Sequence, residues 1–489
     1  VPTTPLLLSR EAAGAELAQA LAELRTELEL PEGFSPEALA EARVAIAETA
    51  LPVVDRTDIP LLTIDPEGAT DLDQALHLER AGDGYRVFYA IADLPAFVTP
   101  GGALDAAARE RGQTLYAADG RIPLHPVEIS EDAASLVAGA DRGAYLWEFD
   151  LDTSGRPTRT SVIRARVSSR RQWSYAEAPA VHDDDGPVDD AAASASGGDA
   201  GESREVFRLL GEVGRARLDL ESERGGASLS MPEILVTHDG GRYRLERRIL
   251  RPVERWNAQL SLLAGMEAAR LMLDGGVGIL RTMPPAEPTA ITRFRRQVHA
   301  LGTPWPVDEP YGDYLRRLTD DDPRHLAIRH AASALFRGAT YTPFDGESPQ
   351  DAVQSAVGAP YTHVTAPLRR LVDRFALVVC AALSAGQEPP AWVRAALPAL
   401  PVLMARGSNL AGRLDRRTRD AVEAAVLAPH VGELFDAVVL ASTDQRSTVH
   451  LVGPAVEAPC DGALPPGDDV RVRLVTADIR SATVRFAAT

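Results

Sequence analysis

TIDPEGATDLDQAL, residues 63–76, gathers the carboxylates Asp65, Glu67, Asp71 and Asp73 into one short stretch. The apolar run Leu61–Asp65 leads into it and reads as a strand. Ala75–Arg80 alternates apolar and polar residues, Asp83-Gly84 is a hairpin signal, and Tyr85–Ala92 alternates again. With these strands as antiparallel neighbours, Asp65 ends one, Asp73 precedes the next, and Asp93 in YAIADLPAF closes the third at the same edge. Aspartates crowded on one rim repel each other and their pKa values rise. A divalent cation relieves this, and hard oxygen ligands suit Mg²⁺ or Mn²⁺. A polar loop whose aspartates cap turns and face water would give the same residues.

A second constellation lies far downstream in PYTHVTAPLRRLVDRFALVV, residues 360–379. Its spacing predicts a helix with Thr365 as N-cap, Pro367 in the first turn and an apolar face of Leu368, Leu371, Phe375 and Val379. Arg369, Arg370 and Arg374 then sit near the helix start, where forked guanidinium groups can grip phosphate. The plainer alternative is an Arg369–Asp373 pair at i,i+4, worth a few tenths of a kcal/mol. Residues 361–420 hold nine arginines and four acidic residues, including Arg394, Arg406, Arg413, Asp415, Arg416, Arg417 and Arg419. Positive charge concentrated there predicts a channel for a polyanion.

Composition narrows the chemistry. All 51 basic residues of the 489 are arginine, against 70 acidic ones, for a net charge of −19. Without lysine, phosphate-loop nucleotide binding, Schiff-base catalysis and protein-kinase chemistry are excluded in their usual forms. A D-L-D after a strand also occurs in haloacid-dehalogenase-type phosphatases. Those need a second Asp followed by Thr or Val and usually a downstream Lys, whereas Gln74 follows Asp73 here. The net charge disfavours nonspecific adhesion to nucleic acid, so capture must be local. Cys380 and Cys460 are the only cysteines, too few for a disulfide framework, which fits a reducing cytosol. The longest apolar run, near Phe375–Leu383, is about half of a ~20-residue membrane span, and no export signal is evident. A cytoplasmic protein with no membrane partner is therefore expected. His325 and His330 are five apart, not the four of a zincin helix, and read as ordinary surface or core residues.

Along the chain, residues 9–29 and 35–49 read as helices opening at Ser9 and Ser35, in a segment with 11 acidic and four basic side chains over residues 1–58. Residues 182–203 are an acidic Ser/Ala/Gly-rich insert, expected to be a flexible loop. Helical patterns dominate from about 204 to 428, broken by a strand pair near 227–250. Four short strands follow, Leu434–Ser442, Thr448–Gly453, Val470–Asp478 and Ser481–Ala487, suggesting a small closed barrel.

These motifs together resemble the ribonuclease II family of exoribonucleases. TIDPEGATDLDQAL is similar to that family's four-aspartate signature, and AIADLPAFVTPGGALDAAARERGQTLYAADGRIPLHP to the segment after it. SLLAGMEAARLML, GILRTMPP and YTHVTAPLRR follow in the family's order, and the final strands resemble its OB-fold RNA-binding domain. The resemblance implies an α+β chain: an N-terminal helical segment (1–50), an RNB catalytic domain with a mixed sheet flanked by helices (51–428), and a five-stranded OB-fold of the S1 type (429–489). The fifty-odd residues ahead of the RNB domain, read as helical, are not expected to contain the family's N-terminal cold-shock domains. It implies metal-dependent, processive 3′→5′ hydrolysis of single-stranded RNA with a free 3′ end, without sequence preference, releasing 5′-monophosphates from a monomeric enzyme that uses Mg²⁺ or possibly Mn²⁺.

Residue by residue, Asp65, Asp71 and Asp73 fall on the first three signature aspartates, with Asp73 the catalytically central one. Gln74 replaces the fourth and offers the metal an oxygen without charge. Arg369 falls on the arginine that supports transition-state charge, with Arg370 beside it for substrate. Tyr116 and Tyr175 fall near aromatic positions that clamp the 3′ nucleotide. Asp415 and Gln259 stand near positions that are usually Glu. The departures at Gln74, Asp415 and Gln259 keep a second reading open, a catalytically weakened RNA-binding or regulatory protein on the same fold.

Overall fold

The computed structural model describes residues 12–178, 200–227, 233–239, 242–248, 250–319, 322–452 and 456–489. Five strands, β1 (Leu61–Asp65), β2 (Gln74–Ala81), β3 (Gly84–Ala92), β4 (Asp141–Leu151) and β5 (Pro157–Ser174), form its central sheet. The expected mixed sheet closes on itself in the order β1-β2-β3-β4-β5. Its seam is the parallel pair of β1 and β5, with Ile64 opposite Trp173 and Asp65 opposite Ser174. The β2–β3 hairpin turns one residue earlier than Asp83-Gly84 predicts. Ala81 pairs with Gly84, and Gly82 takes a φ of +58°, which a two-residue primed turn requires at its first central position.

The alternation in β3 sorts two cores. Tyr85, Val87, Tyr89 and Ile91 pack with residues of the helices Ala200–Glu223, Pro252–Gly275 and Leu371–Ser384. Phe88, Ala90 and Ala92 face a second cluster that includes Ala38 and Ala42 of the helix Pro36–Glu48, and Leu368. Both faces of this strand are therefore largely buried.

Ser35 caps its helix as expected, its Oγ accepting the Ala38 N–H at 3.2 Å; Ser9 lies outside the described residues. The two N-terminal helices serve different cores. Leu17 and Leu21 of Ala12–Glu27 pack with Ala421–Leu427 of the helix Leu400–Leu427 and with the C-terminal barrel. That barrel comprises β6 (Leu434–Ser442), β7 (Arg446–Leu451), β8 (Glu457–Asp461), β9 (Asp469–Asp478) and β10 (Thr483–Ala488), closed in the order β6-β7-β8-β10-β9. β8 escaped the sequence reading because EAPCD carries a proline between its buried residues Ala458 and Cys460. Most of the acidic insert lies outside the described residues, but a helix begins at Ala200, so its last residues are helical rather than loop.

The predicted helix start at Thr365 is corrected. The helix is Leu371–Ser384, with Arg370 at its N-cap. Upstream, the backbone pairs elsewhere: Thr114 N–H donates to the Arg369 carbonyl at 3.0 Å and Leu371 N–H to the Gly112 carbonyl at 3.0 Å. Tertiary pairing with residues 112–114 outcompetes a local helical turn. The apolar run Phe375–Leu383 lies on this helix, packed in the catalytic core. Among the described residues no helix is long and apolar enough to cross a membrane.

Candidate active site

β1 delivers Asp65 to the barrel rim, and β2 begins at Gln74, so residues 66–73 form the connecting loop. Gly68 takes a φ of +79° within it, and Leu72 N–H donates to Ser135 Oγ at 2.9 Å, pinning the loop against the segment after the second hairpin. Asp73 is buried, and its Oδ1 accepts the Leu368 N–H at 2.8 Å. Its Oδ2 lies 3.5 Å from Arg369 Nε. The two sequence motifs, almost three hundred residues apart, meet at this contact.

Burial pushes the Asp73 carboxyl up to about 8, although Arg369 and the Leu368 N–H pull the other way. Burial, with Asp71 nearby, raises Asp65 to about 7 against the pull of Arg369. Asp65 Oδ2 is buried with no hydrogen-bond partner. Two desolvated carboxyl groups beside a third, one with an orphaned oxygen, form a donor set that a hard divalent cation would complete. Asp65, Asp71 and Asp73 therefore fit a metal chemically. Among the described residues no three acidic, imidazole or thiol groups stand ready-gathered as a cage. Asp71 is instead drawn to Arg121, 2.7 Å away, which also holds Glu131 at 2.6 Å.

Two expected members of the rim are corrected. Gln74 is not free to ligate: its Nε2 donates to the Thr365 carbonyl at 2.7 Å. Its Oε1 accepts from Tyr89 Oη at 2.5 Å and from Ser261 Oγ at 3.4 Å. A neutral carboxamide can satisfy both ends inside the protein, and here it ties β2 to the Thr365 segment. Asp93 reaches the same edge but turns toward Arg164 on β5, with Oδ2 at 2.5 Å from its Nη2, and packs against Gly143. It is a core ion pair, not part of the rim.

The rim opens into a cavity of about 1350 Å³. Asp65, Asp71, Asp73, Gln74, Tyr116, Tyr175, Gln259, Arg369 and Arg370 all line it. Tyr116 stands half-exposed on the Leu115–Ala117/Gly120–Ile122 hairpin. Tyr175 N–H donates to the Asp65 carbonyl at 3.0 Å and its Oη accepts from Asn257 at 3.2 Å. Gln259 is committed to Glu221 at 2.6 Å. Arg370 forks onto Asp373 at 2.8 and 3.0 Å, so Asp373 serves Arg370 rather than the Arg369 expected as its i,i+4 partner. Arg369, 47% exposed, faces the opening beside Asp73.

Asp415 does not line this cavity. It pairs with Arg419 at 2.6 Å, one turn away on the exposed surface of the Leu400–Leu427 helix. The positive window is likewise dispersed. Arg374 is buried on Asp105 at 2.6 Å, Arg394 pairs with Asp345 at 2.7 Å, and Arg417 pairs with Glu27 at 2.9 Å. Arg406 donates to the carbonyls of Arg109 and Glu110. Only Arg369 and Arg370 of the window line the cavity; Arg121, Arg248, Arg255, Arg316 and Arg329 come from other segments. Of these, only Arg121 lay within a motif singled out in the sequence, GRIPLHP. The others carry no local signal, because scattered arginines are equally consistent with surface salt bridges.

Comparison with known proteins agrees with this geometry. The RNB domain matches residues 53–383, and the RNase II-type exonuclease C-terminal S1 domain matches residues 433–489. Ribonuclease R of Escherichia coli is 28% identical over 329 residues, 65% of this chain and 39% of that protein. Ribonuclease R of Thermotoga maritima is 25% identical over 448 residues, 85% of this chain and 59% of its own length. The chain thus spans well under two thirds of these relatives. The structure of Mycoplasma genitalium RNase R in complex with ribose-methylated single-stranded RNA covers 97% of this chain and 78% of its own, with a TM-score of 0.83 at 15% identity. Yeast Ssd1, a pseudonuclease, has the same fold, with a TM-score of 0.64 at 16% identity over 91% of this chain and 53% of its own. With two thirds of its length matched by one domain and a second domain matched behind it, the chain belongs to the RNB-domain family of ribonuclease II-type proteins.

Proposed function

We propose that the protein is a metal-dependent exoribonuclease that hydrolyses single-stranded RNA processively from a free 3′ end, without sequence preference, and releases 5′-monophosphates. The observation that carries this reading is the meeting of Asp73 with the Leu368–Arg369 segment at the floor of an arginine- and tyrosine-lined cavity. Asp65, Asp71 and Asp73 would hold Mg²⁺ or Mn²⁺, which when bound supplies charge neutralisation and an activated water. The chain's own groups do the rest. The Leu368 N–H fixes the Asp73 carboxylate in one orientation. Arg369, half-exposed beside Asp73, places a guanidinium where charge grows on the phosphoryl oxygens, and the exposed Arg255 meets phosphates farther along. Tyr116 offers a half-exposed ring on which bases stack whatever their identity, at ~1–3 kcal/mol per base.

The test is incubation with 5′-labelled poly(A) and Mg²⁺ or Mn²⁺. A ladder converging on short oligomers is expected, and Asp73→Asn should abolish it while RNA still binds. Near-normal turnover by that variant would sink the assignment. One observation favours the alternative of a weakened RNA-binding or regulatory protein: the fourth signature position, Gln74, is spent on internal hydrogen bonds. A shifted but intact RNA band would select it.

A further inference from the structure

A second cavity, of about 400 Å³, lies on the other side of the wall formed by the helices Ala200–Glu223 and Pro252–Gly275. Leu218, Glu221, Gln259 and Ser261 of these helices face the catalytic cavity, whereas Arg217, Leu220, Leu263 and Met266 face this one. Three arginines line it, Arg156, Arg217 and Arg224, together with Glu223 and Glu267.

The two carboxylates are already answered. Glu223 pairs with Arg156. Glu267 accepts from Arg270 at 3.0 Å and from Thr160 at 2.6 Å. Arg217 and Arg224 have no ion pair among the described residues; they donate only to carbonyls, Arg217 to Gly155 at 3.1 Å and Arg224 to Val357 at 2.8 Å. Arg217 is 3% exposed, and its Nε is buried without a partner, as is Nη2 of Arg224. A buried guanidinium N–H without an acceptor is costly unless something supplies one. Burial, with Arg224 and Arg156 close by, lowers Arg217 to about 10 against the pull of Glu267 and Glu221, so it stays charged near neutral pH. Beside these two arginines, which feel Glu221 and Glu267 only at a distance, lie Pro157, Leu220, Leu263 and Met266, an apolar wall.

We propose that this cavity is a second anion site, built for a phosphomonoester dianion held by Arg217 and Arg224. Two guanidinium groups match two negative charges and supply forked donors. The apolar wall suits a flat organic group attached to the phosphate. Free phosphate and a mononucleotide share this chemistry, and a titration separates them.

The experiment is isothermal titration calorimetry of the full chain, metal-free and at low salt, with inorganic phosphate and with adenosine 5′-monophosphate. The site predicts saturable binding of at least one of them that persists in Arg369→Gln and weakens at least tenfold in Arg224→Gln. Tighter binding of the nucleotide would assign the apolar wall to the base, and equal binding would assign the site to free phosphate. Met266→Glu offers a second variant that keeps both arginines. Its carboxylate should occupy the site from within, abolish the titration and leave the thermal midpoint unchanged or higher. Absence of saturable binding by both ligands overturns the proposal. So does binding that Arg369→Gln removes and Arg224→Gln and Met266→Glu leave intact, which would place the anion in the catalytic cavity only.

Discussion

The Arg374–Asp105 pair gives the sharpest test of which arginines serve the fold and which serve RNA. Both side chains are at most 2% exposed, and Asp105 Oδ1 accepts from Arg374 Nη1 at 2.6 Å and from Arg109 Nε at 3.0 Å. Asp105 Oδ2 also accepts the Gly101 N–H at 2.8 Å. Replacing Asp105 by Ala strands Arg374 in the core with only the Val98 carbonyl, 3.1 Å away. That loss should cost ~3–5 kcal/mol. Arg374→Met is milder, because Asp105 keeps Arg109 and the Gly101 N–H; removing one charged hydrogen bond should cost about 1.5–3 kcal/mol. The double variant should be more stable than Asp105→Ala alone, since no buried charge is left unpaired. Urea unfolding at neutral pH measures all three, read as midpoint shifts at constant m. At a temperature where unfolding curves show it folded, Arg374→Met should bind RNA like the parent. A loss of RNA affinity at unchanged stability, or Arg374→Met costing more than Asp105→Ala, would refute the reasoning. The pair also fixes a pH dependence. Burial pushes Asp105 up, but Gly101 N–H, Arg374 and Arg109 together outweigh it and its pKa lies below the usual value of 3.8. Its contribution is complete above pH 3.8 and disappears as pH falls through the depressed folded value.

Other outcomes follow from the same geometry. Arg369→Gln should lower the cleavage rate by ~10²–10³-fold while changing RNA affinity little, measured by single-turnover kinetics with oligoribonucleotide. Asp415→Ala should leave cleavage unchanged, because that carboxylate pairs with Arg419 outside the cavity; a rate loss above threefold would return it to the site. His330 lies 3.1 Å from Glu457 on β8, and that hydrogen bond raises its pKa above 6.5. The stabilisation is present below pH 6.5 and lost as pH rises through the raised value, so thermal stability should fall as pH rises above 6.5. His330→Gln should flatten that slope in a thermal melt series.

Local patterns carried much of the fold. β1 and β6 match the sequence reading residue for residue, and β2, β3 and β9 differ only at their ends, because alternation marks half-buried strands directly. β8 was missed where a proline broke the pattern, and the start of the Leu371–Ser384 helix was misplaced where backbone pairing to residues 112–114 overrode a good N-cap sequence. At the site, strand and motif spacing put Asp65, Asp71 and Asp73 on one rim, whereas Arg369 joined them only through the family resemblance. Asp93 was placed at the right edge but on the wrong side, since a residue that leaves a strand end can turn toward either neighbour.

The sequence by itself determined the chemistry available: no lysine, a run of aspartates between strands, and an arginine motif far downstream. Charge partners are a different matter. The net positive window of residues 361–420 pointed to one channel, yet most of its arginines with a partner in the fold are spent on Asp105, Asp345, Glu27, Asp415 and main-chain carbonyls. The arginines that line the cavity come mainly from residues between 121 and 329, and Arg121, Arg248, Arg316 and Arg370 among those lining it have carboxylate partners as well. Electrostatic pairing acts over a few ångströms through space and takes no account of separation along the chain. Only the tertiary structure could therefore decide which guanidinium groups face the opening and which are neutralised.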